Sequence, residues 1–403
     1  MNESFEFFLK YVLPLIGAVV MTAAITPLVR YVAIKTKAYR NVSDDEYDRH
    51  IHTENVPRMG GVGLYVTFWC VLILANGINR LTLGIIIGST IILLAGIWDD
   101  IRELSAWKKF VWQLVAAGVI VASGLSINTI SNPFGGIIQL DSYVIPVIRI
   151  AGTVYNFAPI ADLFTMFWII GMINTLNFID GLDGLATGIS TIAAFVLFGL
   201  GFGIGGDLFF GSLLAIILAG VTIGFLPFNY YPAKIFLGDS GAMFLGFMIG
   251  VISILSRAKV ATTLLVLGFP ILDLAWVALR RLVQRKSPFK PDRGHLHHRL
   301  LDAGLSQRQA VMLLYFVCGA FGIASFFLKG SYEELVALIL LFLMMMALSI
   351  TLIIIIARRK QRDKNGTING VLSRANPGDD AHKNNYRDDS SEPPDNIIRL
   401  VKK

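Results

Sequence analysis

The sequence predicts an all-α polytopic membrane protein with about eleven transmembrane helices and a small extracytoplasmic β-hairpin, and three observations carry that reading. Hydrophobic residues make up 55% of the 403 residues and charged residues only 16%, where a soluble chain carries roughly a quarter charged. Mean hydropathy is +0.64. Apolar runs recur along the chain at about twenty residues each, the length that crosses a bilayer as a helix. The runs are continuous rather than alternating, which separates them from the strands of a membrane barrel.

In chain order the runs lie near residues 8–29, 59–76, 81–97, 107–124, 158–176, 184–204, 208–227, 241–256, 261–280, 310–328 and 333–357. The opening MNESFEFFLK lacks the basic start and small-residue cleavage site of a secretory signal, so the first run reads as a retained helix. Residues 125–150 differ: β-branched residues flank an Asn-Pro-Phe-Gly-Gly turn, the pattern of an extramembrane hairpin. Cys70 and Cys318 sit inside apolar runs and read as packing residues, with no disulfide framework. No repeat of fixed period is evident. From Arg358 the chain turns polar and rich in Asn, Asp, Lys and Arg. The reading therefore divides into an integral-membrane domain, residues 1–357, and a disordered tail, residues 358–403.

Eleven spans place the termini on opposite sides. With the N-terminus outside, the inner loops hold eighteen Lys and Arg residues, the tail eleven more and the outer segments six. The positive-inside rule sets the N-terminus outside the cell membrane and the tail in the cytoplasm.

That topology brings five polar clusters to the cytoplasmic side. The central one is Asn174–Gly188, NTLNFIDGLDGLATG, where Asn174, Asn177, Asp180 and Asp183 recur every third residue. At a membrane-helix end they form either a polar turn between spans or the wall of a site. Asp99 and Asp100 close the third span; they read as a helix-end cap or, since adjacent carboxylates repel, as holders of a cation or a retained proton. Asn229, Lys234 and Asp239 lie in NYYPAKIFLGDSG, Asp239 being either a turn residue or a ligand at a helix start. PRMGG (Pro57–Gly61) opens the second span. Finally PDRGHLHHRL carries Arg293, His295, His297 and His298. A surface basic patch and a zinc site are both readings of it, but the absence of Cys and the basic neighbours weigh against zinc. Arg and His together suit a polyanion such as a pyrophosphate, and Lys234 fits the same role. Asp273, inside the ninth run, is expected to pair with Arg280. Carboxylates for a hard cation, basic groups for phosphate and a membrane setting fit Mg2+-assisted phosphoryl transfer to a lipid. Nothing in this pattern points to nucleic acid.

Four motifs in order resemble the polyprenyl-phosphate N-acetylhexosamine-1-phosphate transferases, the superfamily that includes phospho-N-acetylmuramoyl-pentapeptide transferase. They are WDD followed by Leu-Ser, NxxNxxDGxDGLA, NxxPAKxFxGDxG and DRGHLHHRL, and the likeness runs from about residue 10 to residue 357. HxHH, followed by Leu305, Ser306, Arg308, Gln309 and Ala310, is more similar to the N-acetylglucosamine branch, and within it to bacterial enzymes that start teichoic acid or O-antigen linkage units. The resemblance implies transfer of N-acetylglucosamine 1-phosphate from UDP-N-acetylglucosamine to undecaprenyl phosphate with release of UMP, using Mg2+ or, alternatively, Mn2+. It implies Asp239, Asn177, Asp99 and Asp100 around the metal, and Asp99, Asp100, Asp239 and His297 in catalysis, with Asp99 orienting or deprotonating the lipid phosphate. Asp180, Gly181, Leu182 and Asp183 would hold the uridine and Phe236 stack on it. Arg293, His295, His297 and His298 would address the sugar and pyrophosphate, with Asn174, Asn229 and Lys234 completing substrate binding. A homodimer is compatible with it, and direct attack and an Asp-bound intermediate both stay open. One departure stands out: relatives carry a compact Asp-x-Pro-Asn-x-Arg-Lys-x-His run before PRMGG, where residues 36–52 here read TKAYRNVSDDEYDRHIH. The rival readings are the pentapeptide transferase and a secondary transporter, the latter disfavoured because transporters gather ionisable groups near the bilayer midplane.

Overall fold

The computed structural model describes residues 3–36, 56–132, 134–150, 153–202, 209–256, 260–285, 294–328 and 330–375. The acidic 43–48 loop, Arg293 and residues 376–403 lie outside these. In order the elements are α1 (Glu3–Phe7), a π-helical turn (Phe8–Val12), α2 (Leu13–Lys35), α3 (Gly60–Asn76), α4 (Arg80–Ile101) and α5 (Ala106–Ala122). Strands β1 (Thr129–Ser131), β2 (Ile137–Gln139), β3 (Ile145–Ile150) and β4 (Thr153–Phe157) follow. Then come α6 (Pro159–Ile179), α7 (Leu185–Phe202), α8 (Phe209–Asn229), α9 (Gly238–Leu255), α10 (Val260–Val266) and α11 (Gly268–Val283). The last are α12 (Leu296–Asp302), α13 (Gln307–Ser325) and α14 (Ser331–Ala375).

All eleven predicted runs are helical. Eight helices among the described residues are long and apolar enough to cross a membrane, which makes this a multi-pass membrane protein. The other three runs fall short for visible reasons. Helices α3 and α5 are 17 residues each, and the ninth run is split at Leu267 into α10 and α11. Pro270 lies in the first turn of α11; it lacks an N–H and its ring crowds the carbonyl four residues back, so the helix cannot run through unbroken.

Helices α8 and α9 form the interior. Of the most apolar stretch of each, 78% and 83% is buried, against 22% for the N-terminal helix and 17% for α14. Helix α9 packs on α4 and α6, and α8 on α2 and α7. Exposed Leu74, Phe167 and Phe316 belong to the apolar outer face, as a lipid-facing surface requires.

The single hairpin expected over residues 125–150 is instead two separate antiparallel pairs, β1–β2 and β3–β4. The first closes through Asn132, whose carbonyl accepts from Gly135 N at 3.0 Å, with Gly135 and Gly136 at positive φ. The second extends to Phe157 because Thr153, Val154 and Tyr155, all strand-favouring residues, continue the β pattern past the predicted end. The tail expected to be disordered from residue 358 continues α14 to Ala375. The first residues past that point, Arg358, Arg359, Lys360, Gln361 and Arg362, are polar yet good helix formers, so the change in composition there does not end the helix.

Candidate active site

The site is built where α4 ends and α9 begins. Asp99 and Asp100 occupy the last turn of α4. Asp99 Oδ1 accepts from Leu104 N at 2.6 Å, folding the short link to α5 back beneath the carboxylate. That fold brings Lys109, one turn into α5, against Asp99 Oδ2 as an ion pair. The same ammonium lies 3.4 Å from Asp239 Oδ1, and Asn177 Nδ2 donates to that oxygen as well. Asp99, Lys109, Asp239 and Asn177 thus form one continuous polar chain joining α4, α5, α9 and α6. Asp99 is buried, and the side chains of Lys109 and Asp239 are about a quarter exposed, at 24% and 28%. This is the half-open setting a substrate needs.

Asp100 has a different job from the one its neighbour suggests. Its Oδ1 accepts from Asp239 N at 2.8 Å and its Oδ2 from Ser240 N at 3.1 Å. These are amides of the first turn of α9, which have no partner within the helix and carry its positive dipole end. The carboxylate placed by sequence among the metal ligands is therefore committed to capping α9 from another helix, which aims Asp239.

PRMGG makes the other half of that grip. Phe236 N donates to Pro57 O at 2.9 Å, Gly60 N to Phe236 O at 3.0 Å and Gly61 N to Leu237 O at 3.0 Å. A Cβ on Gly61 would run into the backbone of Ser240 and Gly241, and one on Gly96 into that of Asp239 and Ser240. Gly238 itself has φ +74° and a Cβ there would lie 2.5 Å from Arg58 O. Only glycine permits this approach.

The NTLNFIDGLDGL stretch divides its work. Asn177 reaches the carboxylate chain, but Asn174 does not: its Nδ2 donates to Gln113 Oε1 and Ile170 O, both at 2.8 Å, tying α6 to α5. Asp180 ends α6. Desolvation, with the nearby charges of Asp239 and Asp100, holds its carboxyl well above the usual carboxylate range, opposed by Arg58. Asp183 accepts from Ala233 N at 2.9 Å. Asn229 accepts from Thr187 Oγ1 at 2.7 Å and donates to Ile235 O at 3.1 Å. Asp183 and Asn229 therefore shape the 230–236 loop rather than meet the carboxylate chain. Leu182 is buried. Lys234 is exposed, and its carbonyl accepts from Arg30 Nε at 2.9 Å. The Phe236 ring has the Arg58 guanidinium 5.8 Å above it.

The histidines close the site from α12. His295 Nδ1 lies 2.9 Å from Asp273 Oδ2, and Asp273 Oδ1 accepts from Leu296 N at 2.8 Å. Asp273 therefore pairs with His295 rather than with Arg280, which lies two helical turns away along α11 and abuts Gly294 instead. The His295 ring stacks with Phe178 and with His297, each centroid 5.7 Å away. His298 is 4.2 Å from His297. His297 is buried, and neither of its ring nitrogens has a hydrogen-bond partner. Its Nε2 sits over Gly181, where any Cβ would strike it. The histidine motif and the Asp-Gly-Leu-Asp turn are thus in contact. Burial, then the charges of His298 and His295, hold the His297 imidazole well below its usual pKa, so it is neutral at pH 7.

Sequence reasoning missed Lys109 and Gln113, and gave Asp273 a different partner from His295. The signal for Lys109 was available: Ser105 starts α5, which fixes Lys109 one turn inside it, facing back toward Asp99. No group of three or more His, Cys, Asp or Glu side chains among the described residues is close enough to hold a metal alone. Asp99 and Asp239 nevertheless converge on one cation, the Lys109 ammonium. Two carboxylates alone suit an ion that completes its shell with water and phosphate, as Mg2+ does, and not zinc.

The chain is similar to known proteins over much of its length. Residues 82–257 match the family described as Glycosyl transferase family 4. The chain is 34% identical over 344 residues to a probable undecaprenyl-phosphate N-acetylglucosaminyl 1-phosphate transferase of Bacillus subtilis (strain 168), covering 83% of this chain and 89% of that one. It is 33% identical over 367 residues to a decaprenyl-phosphate N-acetylglucosaminephosphotransferase of Mycolicibacterium smegmatis, covering 82% and 86%. To an undecaprenyl-phosphate alpha-N-acetylglucosaminyl 1-phosphate transferase of Thermotoga maritima it is 31% identical over 252 residues, covering 62% and 69%.

Proposed function

The chain belongs to the glycosyl transferase 4 family, and from that premise we propose that it transfers N-acetylglucosamine 1-phosphate from UDP-N-acetylglucosamine to undecaprenyl phosphate, releasing UMP. The observation that carries this reading is the Asp99–Lys109–Asp239 constellation at the ends of membrane helices, where a lipid phosphate can reach it. The substrates named for the Bacillus subtilis and Thermotoga maritima relatives support it.

In this reading Asp99 and Asp239 hold Mg2+, with Asn177 orienting Asp239. The ion, when bound, supplies neutralisation of charge on the phosphates. Lys109 keeps the two carboxylates from repelling each other and offers a second positive charge to the transferring phosphoryl group. Asp99 orients the lipid phosphate; a strong base is unnecessary, since a phosphate monoester has a second pKa of about 6. The Asp180–Asp183 turn and Phe236 hold the uridine. His295, His297, His298 and Arg293 hold the sugar phosphate, the neutral His297 offering an N–H where a charged group is not needed. The charge asymmetry of the loops supports a cytoplasmic site in the cell membrane, and the reaction would open a cell-wall polymer pathway such as teichoic acid synthesis.

Full-length protein in lipid nanodiscs, given UDP-N-acetylglucosamine, undecaprenyl phosphate and Mg2+, is expected to release UMP, to stop on chelation and to resume when Mg2+ is restored. UDP-muramoyl-pentapeptide is expected to be inert. Silence with every UDP-N-acetylhexosamine would overturn the proposal.

A further inference from the structure

We infer that Asp273 is a positioning residue: it keeps the Nδ1 proton on His295 and fixes the start of α12, so that the imidazoles of His295 and His297 are presented to the sugar phosphate. The inference rests on the functional reading above for its purpose, and on the geometry of α11 and α12 for its substance.

Asp273 is an acid inside an otherwise apolar helix, only 5% exposed, in a setting where an unpaired carboxylate is costly. Both its oxygens are used, and both on the same short segment: Oδ2 meets His295 Nδ1 at 2.9 Å and Oδ1 accepts from Leu296 N at 2.8 Å. A carboxylate only accepts, so the proton between the two groups belongs on Nδ1. Nε2 is then a bare acceptor, left for a ligand group that donates, such as a hydroxyl of the sugar. Two rings lie beside it and restrict its movement, Phe178 at 5.7 Å and His297 also at 5.7 Å and nearly parallel at 10°. His297 in turn lies over Gly181. One buried carboxylate thereby sets a stack of rings that ends on the Asp-Gly-Leu-Asp turn.

Asp273→Asn separates this role from simple packing. The amide keeps the shape and has one oxygen, which Leu296 N requires; its NH2 then faces Nδ1 and donates. The His295 proton is driven to Nε2, and the nitrogen that met the ligand changes from acceptor to donor.

The test pairs a spectroscopic readout with turnover. Full-length protein with 13C,15N-histidine in nanodiscs is compared as wild type, Asp273→Asn and His295→Gln, the last identifying the His295 signals among six histidines. Wild type is expected to show His295 protonated at Nδ1, and Asp273→Asn protonated at Nε2 alone. UMP release by Asp273→Asn is expected to fall about 10–100-fold, as for other residues that orient a functional histidine through a hydrogen bond. The double variant should be no slower than His295→Gln, because Asp273 acts through that ring. A bare Nδ1 in wild type, an unchanged spectrum in Asp273→Asn, or losses that multiply in the double variant would each overturn the inference. If Asp273→Asn does not fold, the wild-type spectrum decides alone. Wild type that shows the Nδ1 proton but releases no UMP would instead count against the functional reading.

Discussion

The ammonium of Lys109 sits between Asp99 and Asp239, paired with the first and 3.4 Å from the second. Among the described residues, no other positively charged group bridges these two carboxylates. Lys109→Met leaves the helix intact, since Met is as good a helix former. It is expected to lower UMP release by about 10²-fold, the scale for losing one preorganised charge-stabilising group, with Lys109→Arg recovering part. Wild-type turnover in Lys109→Met would show that the ammonium only fills space.

Asp239 and Asp100, joined through the start of α9, should fail differently. Asp239→Asn is expected to lose most activity and to need more Mg2+, while melting near the wild-type temperature. Asp100→Ala removes the acceptor for Asp239 N and Ser240 N. It should cost about 1–2 kcal/mol, the usual penalty for a lost helix cap, read as a lowered Tm alongside reduced turnover. A stable, inactive Asp100→Ala would return that residue to the chemistry.

Gly61→Ala adds one carbon against the backbone of Ser240 and Gly241. Neither neighbour is a flexible side chain, so α9 must shift, at about 1–3 kcal/mol for overpacking. Loss of turnover greater than the loss of folded protein is expected, because Asp239 moves with the helix. Thermal melts and UMP release on the same preparation check it.

Acid should destabilise the protein partly through His297. Its pKa is held well below the usual value in the folded chain, so the unfolded chain takes up the proton first as pH falls. The stability tied to the neutral ring is complete above about pH 6.5 and is lost progressively below it. Between pH 7.5 and 5.5, Tm is expected to fall more for wild type than for His297→Gln. Parallel curves would show that other groups carry the acid limb.

Much of this molecule can be read from the letters alone, and the rest fails for definite reasons. The helices are legible because lipid demands long apolar runs, so composition alone nearly locates α2, α4 and α6–α9. Pro270 marked the break between α10 and α11, but an apolar run on both sides concealed it. In the site, residue types were legible and their duties were not. Asp99 and Asp100 are adjacent, yet successive helical residues point about 100° apart, and one faces Lys109 while the other faces α9. Asn174 and Asn177 diverge for a similar reason, three residues falling short of a full turn. Lys109 looked like one more inner-loop positive charge. Asp273 finds His295 across 22 positions, a pairing no local pattern announces.

The link from Asp100 to Asp239 N and Ser240 N also sets an order in time. The partners are 139 and 140 positions apart, and a ribosome adding 5–20 residues per second needs roughly 7–28 s to cover that distance. Throughout that interval α4 is already made, while the amides that answer its second acid do not yet exist. A nascent chain therefore carries the α4 carboxylates before their partners exist, and this contact can form only once α9 has been made.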